Sequence, residues 1–244
     1  MREPLTVAVA QPRCVSFDIA ANALTAAATV RLANARVVVF PELFLTGYEL
    51  DAPAVSVEDP QLAPLVEASA ETGSLALVGA PVSGNAGKSH IAMLAIDAAG
   101  ITVAYHKMWL GGAESNRFSP GDKPAVLEVD GWRLGLAICK DTSIPQHASD
   151  TAALGIDAYL AGTLESVEDT AIQAEWARRV ASNHDVWVAV ASFAGSSGGG
   201  FDRAAGRSAI WSPDGVVIAQ SGPEPGAIAR STLHAPCHIG SAAG

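Results

Sequence analysis

The stretch VVVFPELFLTGY, residues 37–48, is the best starting point for predicting the fold. Its three valines and Phe40 form a short apolar run, which predicts a buried strand that ends at Pro41. Glu42 follows at once, so a carboxylate is expected at the carboxyl end of a strand. Ligands of proteins with αβ crossovers bind beyond that edge of the sheet, and Glu42 is therefore a candidate site residue.

Two more reactive side chains end predicted strands in the same way. Lys107 follows the run 101–106, and Cys139 follows the run 132–138. A thiol attacks an acyl carbon only as the thiolate, so it needs a base and a neighbouring positive charge. We expect Glu42 to be the base and Lys107 to stabilise the developing oxyanion, together with the backbone N–H of Lys140.

Outward from these motifs, helical and strand-like patterns alternate along most of the chain. The predicted helices span 17–34, 62–71, 146–154 and 167–183. The other predicted strands span 5–10, 36–40, 74–78, 91–96, 125–129, 156–160, 186–192, 207–211 and 216–220. About ten strands is large for one open sheet, so two packed sheets in one domain over 1–244 are expected. The last hairpin is expected to close the ordered part, and the tail from about residue 222 is poorly patterned.

The composition of the chain limits the classes of partner that it is expected to bind. The chain has 244 residues, of which 49% are apolar and 16% charged, with 15 Lys and Arg against 25 Asp and Glu. The net charge of −10 repels phosphate backbones and anionic headgroups, which argues against nucleic acid and membrane partners. The first apolar run is too short for a secretory segment, so a cytoplasmic location is expected. Three scattered cysteines indicate neither a disulfide framework nor a metal site.

The ordered set of motifs resembles the nitrilase (carbon-nitrogen hydrolase) superfamily. The matching stretches are residues 37–48, VAYHKMWLGGAESNRFSPGD at 103–122 and GLAICKDTSIP at 135–145, with further likeness in AVAQ at 8–11, on the helix around Arg178 and at 206–210. The resemblance implies an α/β fold, a four-layer α-β-β-α sandwich of two mixed sheets flanked by helices, usually as a homodimer and without metal or cofactor. It also implies Glu42, Lys107 and Cys139 as a catalytic triad, with Glu114 as a second glutamate near the lysine.

The implied activity is hydrolysis of a small linear amide or N-carbamoyl compound, a small-molecule substrate. Residues 140–146 depart from the family, which usually has an aromatic residue after the cysteine and then F-P-E. Candidate substrate-binding residues are Lys140, Tyr48, Trp109 and Thr163. A positive spot at Lys107 and Lys140 favours a substrate with a carboxylate. The alternatives are a true nitrilase acting on a C≡N group and a non-catalytic binding protein on the same fold.

A serine motif, two further cysteines and two histidines are interpreted as structural and not as catalytic. Gly195-Ser196-Ser197-Gly198-Gly199 matches the G-x-S-x-G string of serine hydrolases, but the following glycines break the helix that this motif requires. Cys14 and Cys237 are interpreted as structural or incidental. His147 and His184 fall in predicted helices and are interpreted as surface or capping groups.

Overall fold

One six-stranded mixed sheet takes five of its strands from the amino-terminal half of the chain and the sixth from residues 227–233. The computed structural model describes residues 2–84 and 87–235. The sheet contains β1 (Leu5–Gln11), β2 (Val37–Val39), β3 (Leu75–Ser83), β4 (Ser89–Asp97), β5 (Gly100–His106) and β14 (Ala227–Leu233), in the order β14-β1-β2-β3-β4-β5. The strands β1, β2 and β3 are parallel, whereas β4, β5 and β14 pair antiparallel with their neighbours.

A second six-stranded sheet follows. It contains β6 (Val126–Val129), β7 (Trp132–Ile138), β8 (Ala158–Thr163), β9 (Trp187–Ser192), β12 (Ala209–Trp211) and β13 (Val217–Gln220), in the order β13-β12-β9-β8-β7-β6. The central strands β7, β8 and β9 are parallel. Two very short strands, β10 (Ala194–Gly195) and β11 (Ala204–Ala205), pair outside this sheet.

Four α-helices of the described part of the chain cover the outer faces of the two sheets. They are α1 (Ile19–Ala33) and α2 (Ala63–Thr72) on the first sheet, and α3 (Pro145–Ala152) and α4 (Thr170–His184) on the second. Side chains alternate across each strand, so β1 turns Ala8 and Ala10 toward the helices and Val7 and Val9 toward the other sheet. The predicted four-layer α-β-β-α sandwich is therefore confirmed.

Local signals explain where the first two helices begin and end. The carboxylate of Asp18 accepts a hydrogen bond of 2.9 Å from the N–H of Ala21, which caps the start of α1. Asn34 and Gly73 end α1 and α2 in the left-handed conformation, with φ of 46° and 68°. These ends match the sequence-based prediction within about two residues.

One prediction about the end of the chain is wrong. The hairpin around residues 207–220 does not close the ordered part, because β14 continues beyond it and pairs along the full length of β1. The strand lies at the edge of the sheet, and only alternate residues such as Ala229 and Leu233 are buried. The polar run Arg230, Ser231 and Thr232 between them hides the strand pattern in the sequence.

No helix among the described residues is long and apolar enough to cross a membrane.

Candidate active site

The two sheets bring three strand ends to one place. Glu42 lies in the loop after β2 and Lys107 follows β5 in the first sheet, while Cys139 follows β7 in the second. The ammonium of Lys107 donates to Oε1 of Glu42 over 2.6 Å. Besides burial, the charges of Glu42 and Lys107 both act on the pKa of the Cys139 thiol, in opposite directions. The three side chains thus share one site.

Two glycines, one from each sheet, make room for the peptide that carries Glu42. A Cβ on Gly79 of β3 would lie 2.4 Å from the carbonyl oxygen of Pro41 and 2.4 Å from the nitrogen of Leu43. A Cβ on Gly162 of β8 would lie 2.5 Å from the carbonyl oxygen of Phe40. These neighbours are backbone atoms that cannot rotate away, so only glycine fits at either position.

The lysine is held by two carboxylates. Besides Glu42, both oxygens of Glu114 lie 2.8 Å from Nζ of Lys107, and all three side chains are almost completely buried. Glu114 also accepts hydrogen bonds from the hydroxyl of Tyr48 (2.7 Å) and the N–H of Gly111 (2.5 Å). A buried charge is tolerated only when it is paired and hydrogen-bonded, so this network fixes the ammonium in place.

Cys139 stands at a sharp bend between β7 and a short 3-10 helix over Cys139–Ser143. Its φ of 43° is left-handed, which is uncommon for a residue with a side chain. Cys139 is half-buried as a residue, and its thiol points toward the loop after β8, where Sγ lies 3.5 Å from the carbonyl oxygen of Leu164 and 3.8 Å from Oε1 of Glu165.

The surroundings of Glu42, Cys139 and Lys107 shift their pKa values and so determine which of them carries a proton. Burial raises the pKa of Glu42 to about 7, although Lys107 acts to lower it. Burial and the charge of Glu42 raise the pKa of the Cys139 thiol well above its ordinary value, against the opposing effect of Lys107. For Lys107, burial opposes the charge, but Glu42, Cys139 and Glu114 outweigh it and raise the pKa. The resting site therefore holds a thiol, a protonated lysine and a Glu42 that can take or release a proton near neutrality.

A buried polar network braces the bend. Oδ2 of Asp141 accepts from the N–H of Ile138 (2.9 Å) and the hydroxyl of Tyr105 (2.8 Å), and Oδ1 accepts from the N–H of Trp109 (2.9 Å). Asp141 thus ties the cysteine bend to the segment after Lys107. His147 extends the network, with ring nitrogens 2.9 Å from Tyr105 Oη and 2.8 Å from the hydroxyl of Tyr159. The interpretation of His147 as a surface or capping group is therefore wrong. Its side chain lies on the inner face of α3, where it is completely buried and hydrogen-bonded to two tyrosines.

The four predicted substrate-binding residues lie in different surroundings. Tyr48 touches the site through Glu114. The ammonium of Lys140 donates to the carbonyl of Leu110 (2.8 Å), and the ring of Trp109 packs edge-on against His147, 5.6 Å between centroids. Lys140 is therefore an exposed residue held against Leu110, and Trp109 packs against the buried network of Asp141 and His147.

Thr163 does not join the site. It shares the outer face of the second sheet with Tyr159 and Ala161, and Gln173 of α4 donates to its hydroxyl. The geometry therefore contradicts a direct substrate contact by this side chain. Alternation along β8 is the reason, and the next residues, Leu164 and Glu165, reach Cys139 instead.

Sequence reasoning missed several residues that shape the site: Gly79, Gly162, Asp141, His147 and Glu165. The signal for Glu165 was weak, because the predicted strand 156–160 ends five residues before it, whereas Glu42 follows the run 37–40 by two. The two glycines carry no local signal, because their role depends on a loop that packs against them from elsewhere in the chain.

The remaining candidates lie apart from this chemistry. Burial raises the pKa of Cys14 to about 12, and its thiol donates to the carbonyl of Phe44. Ser197 donates to the carbonyl of Phe201 within a tight turn and no helix follows it, so the G-x-S-x-G string is not a nucleophile elbow. Cys237 lies outside the described residues.

Comparisons with known proteins identify the family of the chain. Residues 6–234 match the sequence model of the carbon-nitrogen hydrolase family. The hydrolase in the pqqF 5′ region of Pseudomonas protegens is 32% identical over 78% of this chain and 68% of its own length, and an (R)-stereoselective amidase of a Pseudomonas species is 28% identical over 75% of this chain and 68% of its own. The crystal structure of an amidase from Nesterenkonia sp. superposes with a TM-score of 0.82 at 26% identity, covering 94% of this chain and 90% of that one. The chain therefore belongs to the carbon-nitrogen hydrolase family.

Proposed function

We propose that the chain hydrolyses the C–N bond of a small linear amide through a thioester on Cys139; an N-carbamoyl compound presents the same bond. The observation that carries the proposal is the buried pair of Glu42 and Lys107 beside the half-buried Cys139. The (R)-stereoselective amidase and the Nesterenkonia amidase among the similar proteins support amides over other substrates.

Acylation starts with the proton of the thiol. Oε1 of Glu42 is occupied by Lys107, while Oε2 is buried and has no hydrogen-bond donor among the described residues. Oε2 is therefore free to accept the proton as sulfur attacks the carbonyl carbon. Since the pKa of the thiol lies above that of Glu42, the proton stays on sulfur until substrate is in place.

The oxyanion that forms next needs positive partners. The ammonium of Lys107 is one, and it stays protonated because its pKa is raised. The N–H of Lys140 is the other, since the first N–H groups of a helical turn have no carbonyl partner within that turn. When the tetrahedral intermediate collapses, the C–N bond breaks and protonated Glu42 returns its proton to the departing nitrogen, which leaves as ammonia or an amine.

Hydrolysis of the thioester completes the cycle. Glu42, ionised again, takes a proton from a water molecule that attacks the thioester carbon. The C–S bond then breaks, the thiolate regains the proton from Glu42, and a carboxylic acid is released. No redox step is involved.

Product analysis tests this function. Purified chain is incubated with a panel of small amides, N-carbamoyl compounds and nitriles, and both ammonia and carboxylic acid are quantified. We expect amides to be consumed and Cys139→Ser to abolish the turnover. Turnover of nitriles alone would favour a true nitrilase, and turnover of nothing in the panel would favour a non-catalytic binding protein.

A further inference from the structure

A third carboxylate lies beside the nucleophile. Glu165 follows β8 by two residues, and its Oε1 is 3.8 Å from Sγ of Cys139. Its backbone is fixed on both sides, because its carbonyl accepts from the N–H of Ala205 (2.9 Å) and Ser166 forms a β-bridge with Ala204. The carboxylate is thus presented to the reacting sulfur from a supported position.

This carboxylate has no cation of its own. Among the described residues it belongs to no ion pair, and the thiol is the one donor within hydrogen-bond distance. Lys107 is committed to Glu42 and Glu114, and the Lys140 ammonium donates to a backbone carbonyl. Burial, with the negative charge of Asp169, raises the pKa of Glu165 to about 7, as expected for a carboxylate that lacks a close positive partner.

The charge around the sulfur is therefore negative on balance. Glu42 and Glu114 contact the Lys107 ammonium and Glu165 lies beside the sulfur, so three carboxylates stand against one buried ammonium among the described residues. The sequence-based expectation of a positive spot that attracts a substrate carboxylate is not supported by this arrangement. A cationic group on the substrate would be stabilised instead.

We propose that Glu165 determines specificity by binding a protonated amino group next to the scissile carbonyl, so that amides of α-amino acids are preferred substrates. This inference rests on the proposed amidase function. Once sulfur is bonded to the acyl carbon, an α-amino nitrogen lies three bonds from Sγ, a separation comparable with that between Sγ and Oε1 of Glu165. An ammonium there can donate to the carboxylate over about 2.8 Å.

The test compares two amides of the same shape. Alaninamide and isobutyramide differ only in whether an ammonium or a methyl group stands on the α-carbon. Their kcat/KM values are measured at about pH 7.5, where Glu165 is mostly ionised and much of the α-amine is protonated, for each enantiomer of alaninamide. We expect kcat/KM of the wild type for one alaninamide enantiomer to exceed that for isobutyramide by about tenfold or more, which is the effect of one charge-assisted hydrogen bond.

Two variants locate the preference. Glu165→Gln keeps the shape and removes the charge, and it should lower kcat/KM for alaninamide by about tenfold more than for isobutyramide, which erases the preference. Asp169→Asn removes a neighbouring charge and should keep the preference. Equal losses for both amides in Glu165→Gln, or a wild type that favours isobutyramide, would overturn the inference.

Binding to an inactive variant separates this inference from the amidase proposal. Calorimetry with Cys139→Ala should show tighter binding of alaninamide than of isobutyramide, and adding Glu165→Gln should remove that difference. If neither amide is hydrolysed but the binding preference is present, the amidase proposal fails and the role of Glu165 stands. If both amides are hydrolysed without preference, the role of Glu165 fails and the amidase proposal stands.

Discussion

The ammonium of Lys107 lies 2.6 Å from Oε1 of Glu42, and both side chains are about 99% buried. The two oxygens of the Glu42 carboxylate therefore have different roles. Lys107 donates to Oε1, and Oε2 can accept the proton of the Cys139 thiol. Burial of Glu42 outweighs the attraction of Lys107, so its pKa is raised to about 7 and not lowered as in an exposed ion pair.

The first prediction concerns pH. Glu42 must be ionised to accept the thiol proton, so kcat/KM for isobutyramide should fall as pH drops through about 7, where Glu42 becomes protonated. The profile is measured from about pH 5 to about pH 9. Glu165 titrates in the same range, and Glu165→Gln is therefore the control. The acid limb should persist in that variant; its disappearance would assign the limb to Glu165.

The second prediction concerns the other carboxylate on the lysine. Glu114→Gln leaves Lys107 with one anionic partner and removes the charge that positions it, so kcat should fall by about a hundredfold. Tyr48→Phe removes a single hydrogen bond to Glu114 and should lower kcat by about tenfold. Glu175→Gln, which breaks an exposed ion pair on α4, is the control and should leave kcat unchanged. Full activity of Glu114→Gln would contradict the role of this pair.

The third prediction concerns the glycines that flank Glu42. Gly79→Ala places a methyl group 2.4 Å from backbone atoms of Pro41 and Leu43, so the loop must shift. We expect a loss of about 1–3 kcal/mol in the free energy of unfolding and about a hundredfold in kcat, because Glu42 moves with the loop. Gly112→Ala is the matched control, since its Cβ would meet nothing within 4 Å. Equal behaviour of the two variants in urea unfolding and activity assays would show that the missing side chain at Gly79 is not what keeps Glu42 in place.

The fourth prediction concerns Asp141. Asp141→Ala leaves the buried N–H of Ile138 and the half-buried N–H of Trp109 without their acceptor, and it removes one of two partners of the Tyr105 hydroxyl. Each unsatisfied donor costs about 1–3 kcal/mol and the lost Tyr105 hydrogen bond about 1 kcal/mol, so the variant should be destabilised by at least about 3 kcal/mol, measured by urea unfolding.

Tyr105→Phe serves as the graded comparison, because it removes the hydrogen bonds of one hydroxyl, to Asp141 and to His147, and should cost about 1–2 kcal/mol. Thermal scans report the same order as shifts in Tm. A stability loss in Asp141→Ala no larger than that of Tyr105→Phe would show that the network does not brace the bend.

Much of the fold was predictable because its signals are local. Apolar runs that end at Pro41, His106 and Ile138 predict the strands that deliver Glu42, Lys107 and Cys139 to one edge. The edge strand β14 was missed, since its alternate residues are polar and its pairing with β1 joins opposite ends of the chain.

The site was only partly predictable, for a different reason. Thr163 continues the face of β8 that carries Tyr159 and Ala161 and turns outward, whereas Glu165 reaches the sulfur because the chain leaves the strand after Thr163. The course of that loop is not encoded in the strand pattern. The space that Gly79 and Gly162 provide is a property of two sheets together. The homodimer and the cytoplasmic location stay predictions.

The central claim is that Cys139 carries the acyl group of the substrate. Wild-type protein is mixed with isobutyramide, quenched in acid during turnover, digested and mapped by mass spectrometry. The account predicts an isobutyryl group on the peptide that contains Cys139. Steady release of ammonia with Cys139 unmodified, or an acyl group on Cys14 instead, would contradict it.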